Sequence, residues 1–557
     1  VEFKSLGMKF IKSNQIKFLL FIAICYMCMA CQEDVIYPEF EKWQPYNESE
    51  RIELSQQNEN QQLQYKLIQS PVLDKNELIE VIRLQLGGFT KEMYLELAPL
   101  IYENSISTLQ QHISDQKLSY TLLTQWYLYR IAILETDETL GLNAIISINP
   151  NAVEQARLLD QETTKSKHPI YGMPILLKDN INTSAMKTTA GALSLAGNQP
   201  KEDATIVKNL KSQKAIILGK VNLSEWANFL CDGCPNGYSA VGGQTLNPYG
   251  ISKFDTGGSS SGSAVSVAAN YAVAAVGTET SGSILSPSSQ QSLVGLKPTL
   301  GNLSQDGIVP ISSTLDTPGP ITRNVSDNAI LYAAMRNTKP TSEDKVQEIT
   351  NPSQLKLGVI QNFMQDSLYR NAIELLKAEG FQLEVMEPKS MDFNGFLALL
   401  NGDMKRDLAA YLKIHTEGSV KSVEDVVQFN SKDSLLNIPY GQARLDGILA
   451  QELNDIELDS IRQNLISSGK TYFKQFFETH QVDAVLSINN YNAGQAAVAK
   501  YPAITVSMGY SNAGEPKGLT FIAKPNQEQK LFQLASFFEK LSALRVPAKY
   551  YDVKKNN

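Results

Sequence analysis

Residues 256–298 read TGGSSSGSAVSVAANYAVAAVGTETSGSILSPSSQQSLVGLKP. Gly257 to Ser263 are all Gly or Ser. Gly/Ser runs also serve as flexible linkers, but the residues after this one do not suit a linker. Ala264 to Ala275 is small and apolar, and predicts a tightly packed helix and then a buried strand. A second polar turn comes next, Gly277-Thr278-Glu279-Thr280-Ser281-Gly282-Ser283. Two glycine-rich turns flanking a packed helix and strand predict two rigid loops meeting over one site. Glycine permits positive φ and close backbone approach, so several N–H groups can converge on one point.

Such a point suits acyl transfer, in which a serine nucleophile needs a base and an oxyanion hole. Histidine is the usual base, but the chain has four: His112, His168, His415 and His480. None lies near a serine motif. The nucleophile-elbow pattern Gly-x-Ser-x-Gly is nearly present as Gly258-Ser259-Ser260-Ser261-Gly262, with its spacing off by one. A Ser-His-Asp hydrolase is therefore the second choice, and a Ser-Lys device the first. That device needs a buried Lys, because an exposed one keeps its proton. Ile175-Leu176-Leu177-Lys178 puts Lys178 at the end of a short apolar strand. Burial there would make it a base. A strand-end Lys can equally snorkel to solvent.

Several blocks in order carry a resemblance. They are Gly172-Met173-Pro174-Ile175-Leu176-Leu177-Lys178-Asp179-Asn180, Thr188-Thr189-Ala190-Gly191, and Gly219-Lys220-Val221-Asn222-Leu223-Ser224-Glu225-Trp226-Ala227-Asn228. Gly242-Gly243-Gln244-Thr245, the two glycine-rich turns, Gly295-Leu296-Lys297-Pro298-Thr299 and Asp316-Thr317-Pro318-Gly319-Pro320 complete the set. Together they resemble the amidase signature family, and bacterial peptide amidases within it. The likeness is clearest over residues 140–335 and weaker to about 545.

The resemblance implies an amidase that cleaves linear C–N bonds with no metal or organic cofactor. Lys178 matches the basic lysine, Ser259 the bridging serine held by a cis peptide bond, and Ser283 the nucleophile. The backbone N–H groups of Thr280, Ser281, Gly282 and Ser283 match the oxyanion hole. Two positions depart from the family. Ser281 stands where many members have Asp or Gly, a tolerable change where only backbone N–H is used. Leu285 stands where many members, including the glutaminase subunit of tRNA amidotransferases, have Arg. In that subunit the Arg grips the carboxylate of free glutamine. Its loss points away from a free amino acid and toward a neutral or larger amide, such as a peptide C-terminal amide. The other readings are a glutaminase-type subunit of a transamidating complex and a catalytically dead surface binding lipoprotein.

Outward from the core, residues 1–31 read as a lipoprotein-type signal peptide. Four lysines, Lys4, Lys9, Lys12 and Lys17, precede a short apolar run, Phe18 to Ala30. The run is too short to span a membrane comfortably, and Met8 is a candidate start. Ala30-Cys31 resembles a bacterial lipoprotein cleavage site, with Cys31 lipidated, although Cys28 stands where Leu is usual. An ordinary secretory peptide and an uncleaved anchor are the alternatives. The lipoprotein reading places the protein in a bacterial cell envelope, membrane-held through its lipid, on the periplasmic or surface face. Residues 32–71 are polar and Gln-rich, and read as a tether.

On this resemblance, residues 72–550 read as the amidase domain. Leu78, Val81, Ile82 and Leu84 suggest one helix face, and Ser119 an N-cap before Leu122-Trp126-Tyr129-Ile131. Strands are expected at Ile175–Leu177, Ala215–Leu218, Val273–Val276, Leu357–Ile360 and Ala503–Ser507. The alternation predicts an α/β fold, a large mixed, mainly parallel twisted sheet covered by helices on both faces. Residues 340–354 read as a loop between halves. Residues 390–475 read as wholly helical, a roof over the pocket.

The whole chain has 557 residues and a net charge of −8, enough length for a large core and no basic stripe for nucleic acid. Cys231-Asp232-Gly233-Cys234 has no second pair or nearby His to complete a zinc site. It fits either a local disulfide or two free thiols, and the resemblance sets it near the substrate channel.

Overall fold

The computed structural model describes residues 36–163, 167–337 and 346–553. The leader with Cys31, the start of the polar segment after it and part of the 340–354 loop lie outside these residues. Eleven strands form one sheet: β1 (Ile145–Ile148), β2 (Pro174–Lys178), β3 (Ile216–Val221), β4 (Ala274–Glu279), β5 (Val294–Lys297), β6 (Thr317–Thr322), β7 (Lys356–Ile360), β8 (Gln382–Met386), β9 (Ala484–Ile488), β10 (Ala503–Tyr510) and β11 (Pro516–Ile522). Their order across the sheet is β1-β3-β2-β4-β6-β5-β10-β11-β9-β7-β8.

All five expected strands are present. The sheet is mixed as expected, but it is not mainly parallel. β3-β2-β4 and β9-β7-β8 are parallel, whereas the other six pairings are antiparallel. The cause is topological. Apolar strands set between helices make parallel crossovers, and four of the five expected strands, β2, β3, β4 and β7, take part in such pairs, whereas β10 is antiparallel on both sides. β5, β6 and β11 pair antiparallel with their neighbours instead.

Helices cover the strands and roof the site. α1 (Tyr120–Glu135) starts where Ser119 accepts the N–H of Leu122, as the capping rule requires. α2 (Ser261–Ala268) is buried along its length and packs on β4. α3 (Leu285–Gln290) comes after the second glycine-rich turn. The roof holds α4 (Phe396–His415), α5 (Val423–Ser431), α6 (Ala443–Leu449) and α7 (Asp455–Lys474). Asn454 and Glu457 form a capping box at the start of α7. In the earlier helix Lys75–Arg83, Leu78 and Ile82 are buried, while Leu84 lies past its end and is exposed.

The tether reading fails for residues 36–71. Leu63, Tyr65 and Ile68 are buried. The Ile68 carbonyl accepts the N–H of Gln244 at 2.8 Å and Asn143 Nδ2 at 3.0 Å. Glu48 accepts the N–H groups of Ile68 and Gln69. Within the Gln-rich run, Gln62 Oε1 accepts the N–H of Asn236 at 2.9 Å.

Candidate active site

Lys178 closes β2, with β3 on one side and β4 on the other. It is fully buried. Its Nζ lies 2.8 Å from Ser259 Oγ, 2.9 Å from Thr278 Oγ1 and 3.2 Å from the Thr278 carbonyl. Burial pushes its pKa down to about 7, against the pull of Asp316 and Glu279. Three partners match the three donors of an ammonium and equally the two N–H bonds and lone pair of a neutral amine. In the neutral form two N–H bonds can reach Thr278, and the lone pair can accept from Ser259 Oγ–H. Asn180 Nδ2 donates to Thr278 Oγ1 at 3.0 Å and steadies that partner.

Ser259 is fully buried, and the peptide bond joining it to Gly258 is cis. Ser260 beside it ties the two turns together. Its Oγ donates to the Thr278 carbonyl at 3.0 Å, and its N–H donates to the Ser283 carbonyl at 3.2 Å. Ser283 is only half-buried, so of the three candidate residues it is the one open to a substrate. Among the described residues, its hydroxyl makes no hydrogen bond to Ser259. Catalytic contacts of this kind are often loose until substrate arrives.

The turn before Ser283 is held from both ends. Thr280 Oγ1 donates to Asp316 Oδ1 at 2.6 Å. Asp316 Oδ2 accepts the N–H groups of Ile311 and Ser312 at 2.8 and 2.9 Å. Burial raises the Asp316 pKa to about 6. Glu279 Oε2 accepts the N–H groups of Ile284 and Leu285 at 2.7 and 3.0 Å, just past Ser283. Gly282 has φ +97°, and a Cβ there would sit 2.8 Å from Asn490 Nδ2. Among the described residues, the N–H groups of Thr280, Ser281, Gly282 and Ser283 donate to no protein acceptor. Four unpaired donors in a row, beside a hydroxyl, are what an oxyanion hole requires.

The structure therefore brings Lys178 and Ser259 into contact, and it ties Ser283 to the same loop only through the backbone bond from Ser260 N–H to the Ser283 carbonyl. The sequence reading gave no role to Thr278, Asn180, Glu279 or Asp316. All four lie in the quoted motifs, but Asn180 and Asp316 bond to residues of another motif and Glu279 to backbone N–H groups just past its own turn, and spacing shows neither. Cys231 and Cys234 are joined as a disulfide, which resolves the open alternative. Their loop packs on the roof, where Asp232 pairs with Arg444 of α6 at 2.6 Å.

The family model Amidase matches residues 123–487. The chain belongs to the amidase family. It is 34% identical over 494 residues to an Arabidopsis thaliana protein described as a probable amidase, covering 83% of this chain and 94% of that one. It is 30% identical over 512 residues to a subunit of the glutamyl-tRNA(Gln) amidotransferase of Pediococcus pentosaceus, covering 81% and 99%. The solved peptide amidase of Stenotrophomonas maltophilia superposes with TM-score 0.75 at 34% identity, over 81% of this chain and 99% of that one. An amidase hydrolyses amide C–N bonds.

Proposed function

We propose that this amidase works through a Ser283 acyl-enzyme, with Lys178 as base and Ser259 as proton bridge. The arrangement that carries this reading is the neutral-leaning Lys178 in contact with Ser259, beside four unpaired N–H donors. Ser283 Oγ attacks the amide carbonyl carbon. Its proton passes to Ser259 as Ser259 gives its own to Lys178 Nζ. The N–H groups of residues 280–283 take the oxyanion. When the C–N bond breaks, the proton returns through Ser259 to the leaving nitrogen. Water then attacks the ester, Lys178 and Ser259 again moving the proton, and Ser283 is freed.

Peptide C-terminal amides are the substrate class this reading favours. Its supports are the likeness to a peptide amidase and the apolar Leu285 where a carboxylate-gripping Arg would stand. Leu285 also weighs against the reading as a glutaminase of a transamidating complex. The test is a panel of amides with mass detection of the adduct. An acyl group on Ser283 during turnover is expected. Turnover with no adduct on Ser283 would refute the mechanism.

The same proposal places the enzyme in a bacterial envelope through a lipid on Cys31, which several acyl chains would hold stably. Cys31→Ser should move the protein from the membrane to the soluble fraction. Retention in the membrane after leader cleavage would rule out the lipid anchor.

A further inference from the structure

A cavity of about 270 Å³ opens beside the segment 278–280, although Lys178, Ser259 and Ser283 do not line it. Thr278, which holds Lys178, and Thr280, which begins the oxyanion turn, both line it. Its far side is built by the roof helix α4, through Asp407, Tyr411, Ile414 and His415. The Tyr411 hydroxyl donates to Asn182 Oδ1 at 2.6 Å, which fixes α4 against the loop after β2.

The wall chemistry is uneven. Ile308, Ile311 and Ile414 give apolar surface. Asp306, Asp316 and Asp407 also line the cavity, and no Lys or Arg does among the described residues. Asp316 is spent on Thr280 and two backbone N–H groups. Asp407 shares one oxygen with half-exposed Arg406 at 2.9 Å and the other with the Ser313 N–H at 2.6 Å. Asp306 stands at the rim, its side chain 60% exposed. Its neighbours are the Thr205 hydroxyl at 2.9 Å and His415 Nε2 at 3.8 Å. The cations near these carboxylates, Arg406 beside Asp407, Lys208 near Asp306 and buried Lys178 near Asp316, all lie outside the lining.

A second observation points to a ligand in the same cavity. Asn180, 2% exposed, lines it, and its Oδ1 has no hydrogen-bond partner among the described residues. A buried acceptor left unmatched costs stability unless a donor reaches it. A substrate N–H is such a donor.

We propose that this cavity selects amide substrates carrying a cationic group on an aliphatic stem. The stem lies on the isoleucine wall and the ammonium or guanidinium reaches Asp306 and Asp407 at the rim. This rests on the amide-hydrolase mechanism proposed above. The charge enters on either side of the scissile bond, and matched substrates separate the two cases.

The experiment measures kcat/KM for two pairs. Lysinamide against norleucinamide puts the charge on the acyl side. An N-(4-aminobutyl) amide against its N-butyl counterpart puts it on the amine side. In one pair the cationic member should win by about fivefold or more at low salt, and the advantage should shrink toward parity near ~1 M salt as the charges are screened. Asp306→Asn should reduce the ratio, and Asp306→Asn with Asp407→Asn should abolish it. Asp306 is at the surface, so the single variant tests the claim even if the double one folds poorly. Parity in both pairs with Ser283-dependent turnover overturns the cationic preference alone. A preference that survives both variants overturns the assignment to this cavity. Failure to cleave any amide, or cleavage that persists in Ser283→Ala, overturns the proposed hydrolase mechanism and this inference with it.

Discussion

The signature core and the helical roof are both built of helices and close contacts, yet they are specified differently. In the core, α2 is made of Ser, Gly, Ala and Val and is buried throughout. Gly262 within it has no room for a methyl group, since a Cβ would sit 2.4 Å from the Asn222 carbonyl oxygen. Two of the buried hydroxyls of α2 each donate to one backbone carbonyl, Ser263 to that of Val276 and Ser261 to that of Gly257. In the roof, α4 buries Met404, Leu408 and Leu412 at four-residue spacing and leaves Ile414 exposed. The core is fixed by individual atoms, whereas the roof combines an apolar stripe with one buried carboxylate, Asp403, held by Ser312, Arg406 and Arg462. The core thus carries the chemistry as a motif, while the roof is free to carry specificity.

Substitutions can test how deep that difference runs. Ser283→Ala should lower kcat/KM by ~10,000-fold or more with the fold intact, as removal of a catalytic nucleophile does. A mutant that labels with a serine-reactive phosphonate at the wild-type rate would contradict this. Gly262→Ala should lower the unfolding midpoint, with an overpacking cost of about 1–3 kcal/mol. Thr280→Val removes the tie to Asp316, and kcat should fall on the order of tenfold through a misplaced oxyanion turn, with KM little changed. An unchanged kcat would show that Glu279 alone holds the turn. Gly447→Ala in roof helix α6 should act in the opposite sense to Gly262→Ala. Its Cβ would meet only Asn401 Nδ2, at 3.5 Å, and reduced unfolded-state entropy should add about 0.4–1 kcal/mol of stability. Equal destabilisation by the two glycine changes, measured by denaturant unfolding, would erase the contrast between core and roof.

The same contrast explains what could be read from the sequence. Lys178, Ser259 and Ser283 could be singled out because their blocks are long and ordered, and the structure puts the first two in contact. The roof was legible only as helix, because periodicity fixes a face and nothing finer. β6 was missed as a strand because Pro318 and Pro320 argue against a central strand, yet it lies between β4 and β5. Residues 36–71 were misread because Glu48 and Gln69 look like solvated polar residues until their backbone partners are seen. Thr278 and Asp316 were legible as motif members but not as partners. Their hydrogen bonds join segments that only the folded sheet brings together.

The most direct test of the central claim is the pH dependence of kcat/KM with Lys178 intact and replaced. Burial lowers the Lys178 pKa to about 7. Its neutral, proton-accepting form therefore grows as pH rises through that value, and kcat/KM should rise with it. Asp316, raised to about 6, titrates below that limb. Lys178→Ala should lose most of the rate and flatten the rise. Lys178→Arg should not restore it, because guanidinium keeps its proton at any working pH. Near-wild-type turnover by Lys178→Arg with the same pH profile would contradict the account, leaving Lys178 a structural cation and the base elsewhere.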